Sequence, residues 1–279
     1  MQALGKVGRF ALRHWPSTAV LLVVGYAVMK PHLLERTFVY YPMKEIDGDP
    51  GLAGLRFEDV WLRTEDGVRL HGWFVPRDGA RTTLLVLHGN AGNISHRVPW
   101  IEMLHRAGAH VLIFDYRGYG RSEGKPFEEG LYRDSRAAYA WWSAERGRSG
   151  ERLALIGESL GGAVAVELAG RSQVAGLIVQ SSFTNAWDVA KTILPLGLLQ
   201  PFSGVRFDSA GRIGAIQCPK LFIHGDVDEI IPFRLGKRLF ELAPPPKDFY
   251  AVSGARHNDL PWIGGPEYVS RISRFLQTF

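Results

Sequence analysis

Residues 153–162 read LALIGESLGG, and this stretch decides the fold that we predict for the whole chain. An apolar strand leads into a turn that carries Ser159, and an apolar helix follows. Gly157 and Gly161 flank the serine with the G-x-S-x-G spacing of a strained turn between a strand and a helix. Glycines at these positions let the strand and helix approach without clashes, and the helix N-terminus favours negative charge near the serine. The stretch therefore predicts a nucleophilic serine at the carboxyl end of a strand.

Strands and helices alternate along the chain on both sides of this stretch. Short apolar or alternating runs predict eight strands, at residues 57–62, 69–75, 83–87, 109–114, 153–157, 175–180, 219–223 and 248–252. The first two flank an Asp-Gly turn and predict an antiparallel hairpin. Helical segments, among them residues 95–107 and 266–279, separate or follow most of the others, which indicates a parallel sheet. The aromatic stretch 38–42 is expected to pack on the edge of this sheet. We therefore predict an α/β fold with a mostly parallel central sheet of about eight strands, helices on both faces, and ligands at the carboxyl ends of the strands.

The composition limits the classes of function. The 279 residues suit one large α/β domain with an N-terminal extension, and a hydrophobic content of 46% suffices for a sizeable core. The net charge is +5, but no basic run is interleaved with aromatic residues, so we expect no nucleic-acid partner. The single cysteine, Cys218, excludes an intrachain disulfide framework and a cysteine-rich metal site. Neither a metal cluster nor a dinucleotide fingerprint is visible, so we expect no cofactor and no metal.

The first 32 residues read as a separate N-terminal segment. Residues 1–14 carry basic but no acidic residues, and residues 15–29 are uncharged and largely apolar. A membrane-spanning helix is favoured, although the run is shorter than the usual span of about 20 residues. The positive charge before it would leave the catalytic domain outside the cytoplasm. A cleaved signal peptide, giving a secreted or periplasmic protein, and a buried or amphipathic helix of a soluble protein are the alternatives.

Polar residues after later strands supply partners for the serine. A serine hydroxyl needs a base that takes its proton, and a carboxylate orients that base best. His257 is the only histidine that follows the last predicted strand. Asp226 and Asp228 both follow the strand at residues 219–223, and strand position alone does not choose between them.

Six motifs together resemble the α/β-hydrolase superfamily. They are FVYYP at 38–42, HGNAGN at 88–93, DYRGYG at 115–120, GESLGG at 157–162, HGDVDEIIP at 224–232 and HND at 257–259. The combination looks closest to the membrane-anchored BEM46-like branch, which is similar to α/β-hydrolase-domain thioesterases and to S33- and S9-type serine peptidases. The resemblance covers residues 33–279, which we predict to be the catalytic domain.

The resemblance implies roles for individual residues. Ser159 would attack a carbonyl carbon and His257 would transfer the proton. The family pattern H-G-x-x-D-x-x-[VI]-P places the orienting acid at Asp228, so Asp226 is expected to cap its own turn.

The strand–turn–helix template predicts an oxyanion hole next to the serine. The backbone N–H of Leu160 is one expected donor, because it follows the nucleophile. The backbone N–H of Asn90 is the other, with Ala91 as an alternative in the same loop.

The expected reaction is cleavage of a carboxylic ester or thioester through an acyl-enzyme. Residues 181–217 allow a small cap, and the apolar stretch 193–199 suggests a wall for a lipid-like acyl substrate, unless it simply packs on the sheet. A serine peptidase or aminopeptidase of the same fold is one alternative, although no group that would capture a substrate amine or carboxylate is evident. The other is a non-catalytic binding protein of this fold, against which the complete Ser–Asp–His set argues.

Overall fold

The computed structural model describes residues 39–147, 150–192 and 204–279, and within them ten strands and seven α-helices are seen. The strands are β1 (Tyr41–Pro42), β2 (Glu58–Arg63), β3 (Arg69–Val75), β4 (Thr82–Leu87), β5 (Ala91–Gly92), β6 (His110–Phe114), β7 (Arg152–Glu158), β8 (Gly176–Gln180), β9 (Lys220–Gly225) and β10 (Lys247–Val252). The helices are α1 (Val98–Arg106), α2 (Glu128–Glu145), α3 (Leu160–Arg171), α4 (Ala186–Ala190), α5 (Ala210–Ile213), α6 (Phe233–Leu242) and α7 (Leu260–Leu276).

Eight of the strands form one sheet, in the order β10-β9-β8-β7-β4-β6-β3-β2. All neighbours from β10 to β6 are parallel, whereas β3 is antiparallel to both β6 and β2. The predicted eight-stranded, mostly parallel sheet is therefore confirmed. The carboxyl ends of β4, β7, β9 and β10 lie at one edge, where the loops that carry the predicted site residues meet.

The central strands are buried on both sides. Along β7, Leu153 and Leu155 pack into the core shared with α2, α3 and α6, whereas Ala154 and Ile156 pack into the core shared with α1 and α7. Successive strand residues point to opposite faces of the sheet, so a strand covered by helices on both faces is apolar at every position. This burial explains the continuous apolar run at residues 153–156.

The segment before the main sheet differs from the prediction. The aromatic stretch 38–42, of which residue 38 lies outside the described residues, was expected to pack on the sheet edge. Instead, β1 pairs in parallel with β5, a two-residue strand in the loop after β4. Tyr40 is buried in the core on the α3 side, and Asn90 Nδ2 donates to Val39 O over 2.8 Å. The stretch therefore packs against the loop after β4, at the edge of the sheet where the predicted site residues lie. The backbone N–H and C=O groups of this loop are not used by the main sheet, so they can pair with β1.

Two helices differ in extent from their predictions. The first was expected at residues 95–107, but α1 begins at Val98, because Ile94–Arg97 forms a 3-10 turn whose N-terminus the Asn93 side chain caps. The last was expected from residue 266, and a helical segment does begin at Pro266. Within α7 it is preceded by a first segment that begins at Leu260, and the non-helical Gly265, with a φ of +50°, separates the two. Glycine tolerates this positive φ, and proline is accepted at the first position of a helical segment.

Two predicted features lie outside the described residues. The N-terminal segment 1–32, with its apolar run at 15–29, is one of them, and the stretch 193–199 is the other. The described parts of the predicted cap, residues 181–192 and 204–217, contain α4 and α5. Over the described ranges, no helix has both the length and the apolar character that a membrane span requires.

Candidate active site

Ser159 lies in the turn between β7 and α3, in a conformation that residues with side chains rarely adopt. Its φ is +53° and its ψ is −119°. A Cβ at Gly157 would overlap the carbonyl oxygen of Gly161, and a Cβ at Gly161 would overlap the carbonyl oxygen of Leu87. The turn therefore needs both glycines. The backbone N–H of Ser159 donates to Gln180 O over 2.9 Å, which fixes the turn against β8.

The structure brings the three predicted residues of the triad together. His257 Nε2 lies 3.1 Å from Ser159 Oγ, and His257 Nδ1 lies 2.8 Å from Asp228 Oδ2. All three side chains are almost completely buried. When Nδ1 donates its proton to the carboxylate, Nε2 is left to accept the proton of the serine hydroxyl. The arrangement has the geometry that proton transfer from a nucleophilic serine requires.

The Asp228 carboxylate is held by four donors. Its Oδ1 accepts the backbone N–H groups of Ile230 over 3.0 Å and Ile231 over 2.7 Å. Its Oδ2 lies 3.3 Å from His224 Nε2, in addition to the contact with His257. Burial opposes ionisation, but the hydrogen bonds from His224 and His257 outweigh it and hold the pKa of Asp228 below its ordinary value. The carboxylate is therefore negatively charged at neutral pH.

Asp226 has a different position from the one predicted. It was expected to cap its own turn, but its Oδ1 accepts the backbone N–H of Gly254 over 2.7 Å. Gly254 belongs to the loop that carries His257, and Val227 N–H donates to Ala255 O of the same loop over 3.3 Å. Asp226 therefore connects the loop after β9, which carries Asp228 and which we call the acid loop, to the loop after β10, which carries His257 and which we call the histidine loop. It does so because the two loops leave adjacent parallel strands, β9 and β10.

The two predicted oxyanion donors lie on either side of the serine. Leu160 is the first residue of α3, and Asn90 lies in the loop after β4. A Cβ at Gly89 would be 3.7 Å from Ser159 Cβ, so this loop passes close to the serine. The carbonyl oxygen of Asn90 accepts from Tyr119 Oη over 2.8 Å. Within the described residues, neither the Asn90 nor the Leu160 backbone N–H donates a hydrogen bond to another protein group.

Comparisons with known proteins agree with this architecture. Residues 82–213 match the family model of the α/β hydrolase fold. Protein bem46 of Schizosaccharomyces pombe is 32% identical, over 96% of this chain and 94% of its own length. The α/β hydrolase domain-containing protein WAV2 of Arabidopsis thaliana is 31% identical, over 93% of this chain and 92% of its own length. This chain belongs to the BEM46-like α/β-hydrolase family.

A solved structure supports the fold of the hydrolase. An esterase of Pyrococcus furiosus superimposes with a TM-score of 0.74, covering 86% of this chain and 98% of the esterase chain. The two sequences are 24% identical, so this likeness shows the fold alone.

An ion pair that has no signal in the sequence lies beside the loop after β4, residues 88–93, which we call the oxyanion loop after its predicted role. Glu158 Oε2 accepts the backbone N–H of Gly89 over 3.3 Å and lies 3.5 Å from Arg97 Nε. Arg97 also donates to the carbonyl oxygen of Ala91 over 3.0 Å. The pair therefore holds the peptides on both sides of Asn90. Glu158 occupies the variable position of the G-x-S-x-G motif, and nothing in the sequence connects it to Arg97.

A second buried pair lies beneath the same loop. His88 Nδ1 is 2.7 Å from Gly89 O, and Asp115 Oδ1 accepts the backbone N–H of Ile94 over 3.0 Å. Burial lowers the pKa of His88 to about 3 and raises that of Asp115 to about 7. The two residues hold loop backbone.

The described residues contain no group of three or more His, Cys, Asp or Glu side chains arranged to hold a metal ion.

Proposed function

We propose that this hydrolase cleaves carboxylic esters or thioesters through an acyl-enzyme, with Ser159 as the nucleophile. The observation that carries the proposal is the continuous contact from Ser159 Oγ through His257 to Asp228. Nothing beyond these side chains, two backbone amides and water is needed for the reaction.

The proposed reaction has two half-reactions. Ser159 Oγ attacks the carbonyl carbon while His257 Nε2 takes its proton, and the negative charge of Asp228 stabilises the imidazolium that forms. His257 then returns the proton to the departing alcohol or thiol. A water molecule attacks the acyl carbon while His257 accepts a proton from this water. His257 then returns the proton to Ser159 Oγ as the bond from Oγ to the acyl carbon breaks, which releases the acid and restores the serine hydroxyl.

The tetrahedral intermediate places negative charge on the former carbonyl oxygen. The Leu160 and Asn90 N–H groups are the proposed donors to this oxygen, and a donor of this kind contributes about 2.7–4 kcal/mol to the transition state. The N-terminus of α3 adds a favourable field at the same place.

An acyl chain is the proposed specificity element of the substrate. The apolar sequence at residues 193–199 within the predicted cap supports this choice over a peptide. We also propose that residues 1–32 anchor the hydrolase in a membrane, with the catalytic domain outside the cytoplasm. Resistance of the full-length protein to carbonate extraction tests the anchor, and a mature chain that begins near residue 28 would instead indicate signal cleavage.

A fluorophosphonate probe tests the nucleophile directly, because it reacts covalently with an activated serine. The wild-type protein should be labelled, and Ser159→Ala should lose both labelling and turnover. Ser253→Ala is the matched control, because Ser253 is an exposed serine close to the histidine loop and should leave labelling intact. Undiminished labelling of Ser159→Ala would refute the assignment. A panel of p-nitrophenyl esters of rising chain length, acyl thioesters and aminoacyl amides then separates esterase, thioesterase and peptidase.

A further inference from the structure

Exposed apolar side chains concentrate on the segments that carry the site. The described residues expose eight large hydrophobic side chains, and six of them lie on or directly after β1, in the loop that carries Asp228, and in the first turn of α7. These six, which we call the apolar rim, are Tyr41 (52% exposed), Met43 (49%), Val227 (52%), Ile230 (41%), Trp262 (54%) and Ile263 (53%). Isolated exposed hydrophobic residues are ordinary, but a concentration of them around an opening marks an interaction surface.

All three segments lie next to loops that carry predicted site residues. The backbone N–H of Tyr41 donates to Asn90 O over 3.0 Å, which places β1 beside the oxyanion loop. Val227 and Ile230 flank Asp228 in sequence. Trp262 N–H donates to Asp259 O over 3.0 Å, in the turn that follows His257. Because β4, β9 and β10 end at one edge of the sheet, the rim residues lie at that edge, on or next to the segments that carry the site.

The other two exposed side chains lie elsewhere and serve as references. Leu52 is 77% exposed and belongs to a 3-10 turn that packs against α1. Trp61 is 43% exposed and lies on β2, the edge strand farthest from β10 in the sheet order, with the Arg69 guanidinium 3.8 Å from its ring centre. Neither belongs to a segment that carries a site residue.

The course of the chain indicates what covers the rim. The sequence reaches β1, and thus the rim, directly from the N-terminal segment. Twelve residues, 30–41, connect the apolar run at 15–29 to Tyr41. Even when fully extended, they span at most about 43 Å, because each residue adds no more than about 3.6 Å. If the run is anchored in a bilayer, the rim side of the domain is the side held closest to the lipid.

We propose that the apolar rim docks onto the bilayer that anchors the chain, so that an acyl substrate passes from the lipid directly to Ser159. This inference rests on the proposed anchor and acyl specificity. Tyr and Trp are the side chains that favour the membrane interface, and Met, Val and Ile insert into its apolar part. Docking would remove the rim from water and align the opening with the substrate.

Fluorescence quenching tests the contact with lipid independently of activity. The full-length protein is reconstituted into phosphatidylcholine vesicles that contain doxyl-labelled phosphatidylcholine, which quenches only tryptophans at the lipid. Because the chain has eight tryptophans, each variant is compared with the wild type. The measured quantity is the part of the lipid-quenched emission that is lost when one tryptophan is replaced. Trp262→Phe should remove a quenched component, and the matched control Trp61→Phe should leave all quenched emission in place. Equal quenching in wild type and Trp262→Phe would overturn the proposal. The proposal would also be overturned if Trp262 were shielded from lipid by concentration-dependent self-association or by another segment of the chain.

A second pair of variants tests the consequence for substrate access. Ile263→Asp places a charge in the rim, and Leu52→Asp places the same charge on an exposed leucine outside it. The measurement is the rate on a long-chain acyl ester in vesicles divided by the rate on a soluble short-chain ester. Ile263→Asp should lower this ratio by about tenfold or more, the equivalent of losing one buried aliphatic side chain, and Leu52→Asp should not.

The outcomes separate this inference from the proposed function. If the protein does not hydrolyse acyl esters, both rates are absent while Trp262 quenching is unaffected, and if Ser159 is not the nucleophile, Ser159→Ala keeps both rates and the quenching. If the rim does not dock, Trp262 quenching is absent while the soluble ester is still hydrolysed. A ratio that is unchanged in Ile263→Asp would overturn the proposed route of the substrate.

Discussion

Replacing Asp228 by asparagine removes one negative charge and leaves the shape of the side chain intact. The two backbone donors, Ile230 N–H at 3.0 Å and Ile231 N–H at 2.7 Å, determine the orientation of the new amide. Only the amide oxygen can accept from them, because the flipped amide would place its NH2 group against two donors. The NH2 group must therefore face His257 Nδ1.

The consequence for His257 is a change of tautomer. An amide NH2 donates to Nδ1, so the ring carries its proton on Nε2, 3.1 Å from Ser159 Oγ, where it cannot accept the serine proton. In serine hydrolases, the same substitution lowers kcat by about 10⁴, which corresponds to about 5.5 kcal/mol in the activation free energy. The fold should persist, since the two backbone hydrogen bonds are retained. We expect kcat for a soluble p-nitrophenyl ester to fall by this factor.

Asp226→Asn is the matched control, two residues away in the same loop. Its amide oxygen can still accept the Gly254 N–H, and the site is exposed, so the change should cost about 1 kcal/mol or less in stability and less than about tenfold in kcat. Urea unfolding of both variants checks that the fold is intact. If the losses are reversed, or if Asp228→Asn retains kcat within tenfold, the assignment of the orienting acid is wrong.

Three further predictions concern the surroundings of the site and the core. Burial raises the pKa of Asp115 to about 7, so the folded protein keeps a proton that the unfolded chain releases near pH 4. Wild-type stability should therefore fall by up to about 4 kcal/mol as the pH rises from about 4 to above 7. Asp115→Asn lacks this slope, so its free energy of unfolding should increase relative to wild type between pH 5 and pH 8, and parallel urea curves would contradict the pKa shift. Arg97→Ala removes the partner of Glu158 and the hydrogen bond to Ala91 O, and should lower kcat/KM by about 10–100-fold through displacement of the oxyanion loop. Glu158→Gln keeps an acceptor for Gly89 N–H and should lose less, and an Arg97→Ala enzyme with wild-type kcat/KM would show that the pair has no positioning role. Leu155→Ala should lower the free energy of unfolding by about 2–5 kcal/mol, because the side chain is completely buried, whereas the exposed Leu52→Ala should change it by less than about 0.5 kcal/mol.

The sequence by itself determined the features that depend on local pattern. Continuous apolar runs identified the buried strands, because a strand covered on both faces has no polar side. The spacing of Gly157, Ser159 and Gly161 identified the strained turn, because backbone contacts within that turn exclude any side chain at the two glycines. In a parallel sheet, the carboxyl ends of the strands share one edge, so polar residues after β7, β9 and β10 were expected to meet.

Only the tertiary structure decided the contacts that join residues far apart in the chain. Strand position left Asp226 and Asp228 equivalent, and the resemblance alone favoured Asp228. In the structure, the path of the loop directs Asp228 to His257 and Asp226 to Gly254. The contact of His224 with Asp228, the bracing of Asn90 by Glu158 and Arg97, and the pairing of β1 with β5 had no signal in the sequence. Loop side chains have no periodicity, so their directions depend on long-range packing that forms only when the sheet has assembled.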